Sequence, residues 1–153
     1  MSTDCVLDAS ALVLALIGKT HAADELRQQL SDRRLHAPHL IDAEVGNVIR
    51  RHEQSGLISS AEAQNALRAG SQLIDYRYAH AGSLTELAWT WRANVSFYDG
   101  LYAALASRLG VPLVTADPLR SEGFFAVVVL LVQGDAQSDS EDDADGCAEP
   151  DAV

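Results

Sequence analysis

Short apolar runs alternate along this chain with longer segments in which apolar residues recur at every third or fourth position. The short runs are typical of buried strands, and the longer periodic segments are typical of helices. The predicted strands are Cys5–Leu7, Leu35–Ala37, Leu73–Tyr76, Leu113–Thr115 and Ala126–Val132. The predicted helices occupy residues 10–18, 20–32, 40–54, 59–69, 83–91 and 96–109. Strands that alternate with helices indicate an α/β fold with a parallel sheet covered on both faces.

Serines mark the predicted starts of several helices. Ser10 is expected to cap the first one, and three further serines are followed three residues later by an acid, the spacing of a capping box. These pairs are Ser59 with Glu62, Ser83 with Glu86, and Ser96 with Asp99. We interpret the first two acids as caps only. Asp99 differs because Tyr102, Ala103 and Ala106, which share its helix face, form a small apolar surface rather than a solvated one.

The acidic charge is concentrated at one end of the chain. The formal net charge is −11, but eight of the 22 acids follow Gly134, where there are no bases. The remaining 14 acids and 11 bases make the rest only mildly acidic, so a nucleic-acid-binding face is neither favoured nor excluded. Residues 134–153 have almost no large apolar side chains and are predicted to be a disordered acidic tail. Residues 1–133 are expected to form one domain.

Cysteine usage and hydropathy bound the expected compartment. One of the two cysteines, Cys5, belongs to a predicted buried strand, and the other, Cys147, belongs to the tail, so no disulfide framework is predicted. We see no basic segment before the short N-terminal apolar run, and every apolar run is far shorter than the ~20 residues of a membrane helix. We therefore expect a soluble cytoplasmic protein without a membrane segment.

Acids follow two of the predicted strands, where open parallel sheets bind ligands. Asp8 comes directly after the first strand, and Asp117 comes two residues after Leu113–Thr115. Taken singly, each is more often a helix cap or turn acid. Glu44 lies early in a mostly apolar helix, and with Asp99 it completes a set of four carboxylates. Four charged carboxylates close together would repel one another, and Mg²⁺ or Mn²⁺ is the natural counter-ion for them. This combination suggests metal-dependent hydrolysis of phosphodiesters.

Four segments in register resemble the PIN-domain ribonucleases, and more closely the VapC toxins of toxin–antitoxin pairs. The segments are VLDAS at residues 6–10, APHLIDAEVGNVIRR at 37–51, FYDGLYAALA at 97–106 and LVTAD at 113–117. The resemblance spans about residues 4–132. It implies a three-layer α/β/α domain with a mainly parallel five-stranded sheet. It also implies that Asp8, Glu44, Asp99 and Asp117 are the catalytic residues that bind Mg²⁺ or Mn²⁺.

The resemblance further implies a substrate and partners. The substrate would be RNA, cut by metal-activated water, and the partners would be a second copy of the chain and a VapB-type antitoxin. Ser10, Asn47 and Thr115 are candidate supporting residues, Asn47 because it lies one turn after Glu44. Gly100 departs from the family pattern, in which a residue such as Ala is usual, and this could loosen the helix start.

Other interpretations of single features stay open at this point. A receiver domain also has acids at strand ends but needs a late lysine, and the one lysine here is Lys19. A phosphatase with a nucleophilic aspartate needs a second acid where Ser10 stands. A PIN fold acting as a catalytically weak RNA- or protein-binding module is the main alternative.

Four arginines could contact phosphates and two tryptophans could stack on bases. Solvated helix ends explain the arginines equally well, and buried aromatics explain the tryptophans better. They are Arg33, Arg34, Arg50, Arg51, Trp89 and Trp91.

Overall fold

Five strands form one sheet in the computed structural model, which describes residues 3–116 and 125–128. The strands are β1 (Asp4–Leu7), β2 (Arg34–Pro38), β3 (Tyr76–Tyr78), β4 (Leu113–Ala116) and β5 (Phe125–Val128). Their order is β3-β2-β1-β4-β5; the first four are parallel and β5 is antiparallel to β4. The predicted α/β class and mainly parallel five-stranded sheet are confirmed. Asp117 and the predicted tail at 134–153 lie outside the described residues.

Six helices in the described part of the chain cover the sheet. They are α1 (Ala9–Ile17), α2 (His21–Leu30), α3 (Leu40–Gln54), α4 (Ser60–Leu73), α5 (Ser83–Thr90) and α6 (Phe97–Leu109). The chain moves outward from β1 to β2 and β3 through α1 to α4, and it returns past β1 to β4 through α5 and α6. Because parallel crossovers are right-handed, this reversal places α1–α4 on one face and α5–α6 on the other. The two groups of helices and the sheet between them form the three α/β/α layers that the family resemblance implied.

The centre of the core is β1, whose Cys5, Val6 and Leu7 are 0% exposed. A strand buried on both faces needs a continuous apolar run rather than an alternating one, which is why this segment was recognisable in the sequence. Burial raises the pKa of the Cys5 thiol to about 11, so Cys5 stays protonated and is a packing residue. No helix among the described residues is long and apolar enough to cross a membrane.

Helix α6 packs closely against both the sheet and α5. Every residue from Gly100 to Ala106 is buried, and most of these side chains are small. A β-carbon added at Gly100 would lie 3.3 Å from the Ala88 carbonyl oxygen of α5. The glycine therefore allows the two helices to approach each other closely, and we find it packed rather than loosened at this helix start. Gly110 ends α6 with φ of 66°, the left-handed conformation typical of a glycine after a helix.

Two predicted helix caps and the predicted bounds of the third strand are wrong. Asp8, not Ser10, caps α1, because the Asp8 side chain accepts a hydrogen bond from the Ala11 N–H. Helix α5 begins after Gly82 without a side-chain cap, so the Ser83 spacing is not a capping box. The third strand begins at Tyr76 rather than Leu73, because α4 continues through Leu73. Spacing alone did not reveal which residue leaves the helical conformation.

Candidate active site

The carboxyl ends of β1 and β4 meet at the point where the strand order reverses. Helices leave β1 toward one side of the sheet and enter β4 from the other, which opens a crevice at this edge. Asp8 directly follows β1, and its backbone N–H donates to the Val114 carbonyl of β4 at 3.1 Å. The first predicted site residue therefore lies at the place where ligands bind in open α/β sheets.

Asp8 is partly buried and held by its own helix start. Asp8 Oδ1 accepts hydrogen bonds from Ser10 Oγ at 2.6 Å and from the Ala11 N–H at 2.9 Å. Burial raises the pKa of the Asp8 carboxyl; hydrogen bonds from Ser10, Thr115 and Ala11 oppose the rise, and the charge of Asp99 adds to it. Asp8 can therefore cap α1 and also belong to the site, since Oδ1 accepts the capping hydrogen bond from the Ala11 N–H while the carboxyl lies near the charge of Asp99.

Ser10 links Asp8 to the end of β4. Its hydroxyl donates to Asp8, accepts a hydrogen bond from the Ala116 N–H at 3.0 Å, and lies 3.3 Å from Thr115 Oγ1. The predicted supporting residues Ser10 and Thr115 are therefore adjacent to Asp8. Asp117 follows Ala116 directly in the chain, but it lies outside the described residues, so its place in the set stays a prediction.

Glu44 projects from α3 and is only partly exposed. Glu44 Oε2 accepts a 2.5 Å hydrogen bond from the hydroxyl of Tyr102 on α6. Burial raises the pKa of the Glu44 carboxyl; the Tyr102 hydrogen bond opposes this, and the charges of Asp8 and Asp99 add to it. The sequence had placed Tyr102 on the Asp99 face without giving it a role. A buried tyrosine needs a partner for its hydroxyl, and that was the available signal.

Asp99 lies in the first turn of α6 and is exposed. Ser96 Oγ donates to Asp99 Oδ2 at 2.6 Å, and the Asp99 N–H donates to Ser96 Oγ at 3.2 Å. The predicted cap is present, and the rest of the Asp99 face is buried, whereas Asp99 itself is not. Its charge nonetheless raises the pKa of both Asp8 and Glu44, so the three acids act on one another.

The three carboxylates share a pattern of contacts. Each accepts a hydrogen bond of 2.5–2.6 Å from a hydroxyl, and all candidate ligand atoms are oxygens. Within residues 3–116 and 125–128, no three His, Cys, Asp or Glu side chains form a group arranged to hold a metal ion. The described residues therefore fit a hard divalent cation by donor chemistry and charge, and not by a preformed cage.

Asn47 and Arg50 contact each other rather than the carboxylates. Asn47 is exposed, and its Oδ1 accepts a hydrogen bond from Arg50 at 3.0 Å. Arg50 also donates to Gln54 at 2.7 Å. The predicted orientation of Glu44 by Asn47 is not seen in these contacts. Arg34 pairs with Asp4 at 2.7 Å, at the amino end of β1 and hence at the opposite edge of the sheet from Asp8.

The two tryptophans have different surroundings. Trp91 is partly buried and packs against the core. Trp89 is 56% exposed, contacts the edge of Phe97, and has the Arg92 guanidinium 5.2 Å from its ring centroid. Phe97 lies two residues before Asp99, which places this aromatic contact next to the start of α6.

Comparisons with known proteins agree with this architecture. Residues 5–119 match the PIN domain family. The chain is 51% identical over 114 residues to Ribonuclease VapC1 of Mycobacterium tuberculosis (strain CDC 1551 / Oshkosh), covering 74% of this chain and 86% of that protein. It is 42% identical over 112 residues to VapC ribonuclease Mb0985 of Mycobacterium bovis, covering 73% and 84%.

A solved structure supports the fold independently. The crystal structure of Mycobacterium tuberculosis VapC20, described as a sarcin-ricin loop cleaving toxin, superposes with a TM-score of 0.55 at 16% identity and covers 70% of this chain and 84% of that one. At that identity the likeness concerns the fold alone. Because the family match and the two sequence relatives each cover most of the domain, the chain belongs to the PIN domain family, and within it to the group that includes the VapC ribonucleases.

Proposed function

We propose that this protein is a metal-dependent endoribonuclease, the toxin of a type II toxin–antitoxin pair. The observation that carries the proposal is the placement of Asp8 and Glu44 at the crevice edge of the sheet, each held by a hydroxyl donor and each with its pKa raised further by the nearby charge of Asp99. Two of these carboxyls have raised pKa values because they are buried near like charges, a costly arrangement for a fold to keep without function. Relatives named as ribonucleases support RNA as the substrate.

Mg²⁺ or Mn²⁺ would be held by Asp8, Glu44, Asp99 and, as predicted from the sequence, Asp117. Such an ion, when bound, lowers the pKa of water and stabilises the charge that builds up on a phosphodiester during attack. It would also offset the repulsion among the carboxylates, which explains why the chain tolerates them.

The chain's own residues would define where the phosphodiester reacts. Ser10 holds Asp8 beside the end of β4, and Thr115 supplies a second hydroxyl at that point. Asp99 is exposed and therefore accessible to RNA, whereas Asp8 and Glu44 lie deeper. The carboxylates repel RNA unless a cation is present, so the site would bind substrate only after loading with metal.

The proposed partners follow from the same charges. A VapB-type antitoxin could inhibit the nuclease by inserting an arginine, since a guanidinium pairs with carboxylates that otherwise hold a cation. We also propose a homodimer, as expected from the resemblance to VapC toxins. Sedimentation of the full chain tests the dimer, and loss of RNA cleavage on adding the antitoxin tests the inhibition.

The proposed activity is tested with the purified full chain and an end-labelled single-stranded RNA. We expect cleavage in Mg²⁺ or Mn²⁺, no cleavage after EDTA, and recovery when Mg²⁺ is restored in excess. Cleavage that persists in EDTA contradicts the metal mechanism. RNA binding without cleavage under any of these conditions favours the alternative function, a PIN-fold binding module.

A further inference from the structure

The hydroxyl of Tyr102 reaches Glu44 from the opposite layer of the fold. The two residues are 58 positions apart and belong to α6 and α3, which cover different faces of the sheet. Their hydrogen bond of 2.5 Å therefore crosses the crevice edge, where the two helical layers approach each other. Such a contact connects the α6 start, which carries Asp99, to the helix that carries Glu44.

The environment of Tyr102 explains why its hydroxyl stays a donor. Its side chain is 3% exposed and its ring belongs to the hydrophobic core. Burial and the adjacent Glu44 charge raise the pKa of the Tyr102 hydroxyl far above its usual range. The group is therefore neutral at all physiological pH values and can only stabilise the charged form of Glu44 by donating to it.

Tyr102 differs from the two serine hydroxyls that donate to the carboxylates. Ser96 caps α6, and Ser10 also accepts a hydrogen bond from the Ala116 backbone, so both have local structural roles. Among the described residues, the Tyr102 hydroxyl forms a hydrogen bond with Glu44 and with no other residue. A phenylalanine would fill the same core space, so packing alone does not require the oxygen.

We infer that Tyr102 is a positioning residue for Glu44 in cation binding. Its hydroxyl fixes Glu44 Oε2, which orients the carboxylate and leaves Oε1 without a hydrogen bond among the described residues. The inference rests on the proposed function, because it needs a cation at the carboxylates. Outer hydrogen bonds of this kind typically change metal affinity by about 10–100-fold.

The test is Mn²⁺ binding to the full chain, measured by electron paramagnetic resonance of the free ion. We expect Tyr102→Phe to weaken Mn²⁺ binding by roughly tenfold while the circular dichroism spectrum is unchanged. Tyr98→Phe is the matched control, since Tyr98 lies on the same helix and is 57% exposed; its affinity should equal that of the wild type. In a Glu44→Ala background, Tyr102→Phe should have little further effect, because it acts through Glu44.

A second variant distinguishes the effect of the hydrogen-bond donor from the effect of the aromatic ring at position 102. With 4-aminophenylalanine at position 102 a donor is retained, and we expect Mn²⁺ binding close to that of the wild type. Binding as weak as in Tyr102→Phe would overturn the inference, as would wild-type binding by Tyr102→Phe itself. These results leave the proposed nuclease intact if the wild type binds Mn²⁺ and cleaves RNA. A wild type that binds no Mn²⁺ overturns both proposals.

Discussion

Ser10 and Asp8 are joined at the candidate site by a 2.6 Å hydrogen bond from the Ser10 hydroxyl to Asp8 Oδ1. The same hydroxyl accepts from the Ala116 N–H, so one side chain connects the acid after β1 to the end of β4. The geometry of the crevice thus depends on Ser10, which was predicted from the sequence both as a helix cap and as a candidate supporting residue of the site.

Ser10→Ala should therefore reduce both stability and RNA cleavage. Loss of the hydroxyl leaves the Ala116 N–H without its acceptor and removes a donor to Asp8, at an expected cost of about 1–3 kcal/mol in the free energy of unfolding. Urea denaturation measures this cost. Ser71→Ala is the control, because Ser71 is exposed and only donates to the Arg68 carbonyl of its own helix; a change below about 0.5 kcal/mol is expected there. Equal effects of the two substitutions would contradict the linking role.

Glu44→Gln should stabilise the metal-free protein while removing activity. The charged form of Glu44 is disfavoured by burial and by the charges of Asp8 and Asp99, and glutamine removes the charge but still accepts from Tyr102. An increase of about 0.5–1 kcal/mol is expected in EDTA at neutral pH. Glu53→Gln, an exposed position near the end of α3, should be neutral. If Glu44→Gln destabilises the protein in EDTA, the carboxylate is part of a structural network rather than a strained site.

Glu62 gives a pH dependence away from the candidate site. The pKa of Glu62 is lowered from 4.5 to about 2. The largest cause is the hydrogen bond from the Ser59 backbone N–H, and the Ser59 side chain and the neighbouring Lys19 lower it further. Because the folded pKa is depressed, this stabilisation is present above about 4.5 and is lost as pH falls toward 2. The melting temperatures of wild type and Glu62→Gln should therefore differ at pH 6 and converge toward pH 2. A difference that stays constant over this range would be inconsistent with the capping box.

The sequence predicted the fold well because its strongest patterns are local. A continuous apolar run such as Cys5–Leu7 identifies a strand buried on both faces, and the bounds of α3 agree with the periodicity of Leu40–Gln54. The sequence offered both Ser10 and Asp8 as possible caps of α1, and it could not choose between them because the contact of Ser10 with β4 depends on the tertiary structure.

The site was predicted less completely than the fold, because it depends on contacts between residues that are far apart in the sequence. Strand ends located Asp8, and helix spacing singled out Asp99, but a hydrogen bond between residues 58 positions apart leaves no periodic signal. Tyr102 therefore entered the site only through its contact with Glu44. The exposure of Asp99 was also unpredicted, since the first turn of a helix extends beyond the layer that buries the rest of its face.

The most direct test of the account is RNA cleavage by Asp8→Asn beside the wild type and Asp32→Asn, all in Mg²⁺. Asparagine retains the size and the capping oxygen of Asp8, so the fold should persist, and Asp32 is an exposed acid in the turn after α2. We predict that Asp8→Asn has no detectable cleavage while Asp32→Asn cleaves at the wild-type rate. Full activity of a folded Asp8→Asn would contradict the assignment of the carboxylate crevice as the nuclease site.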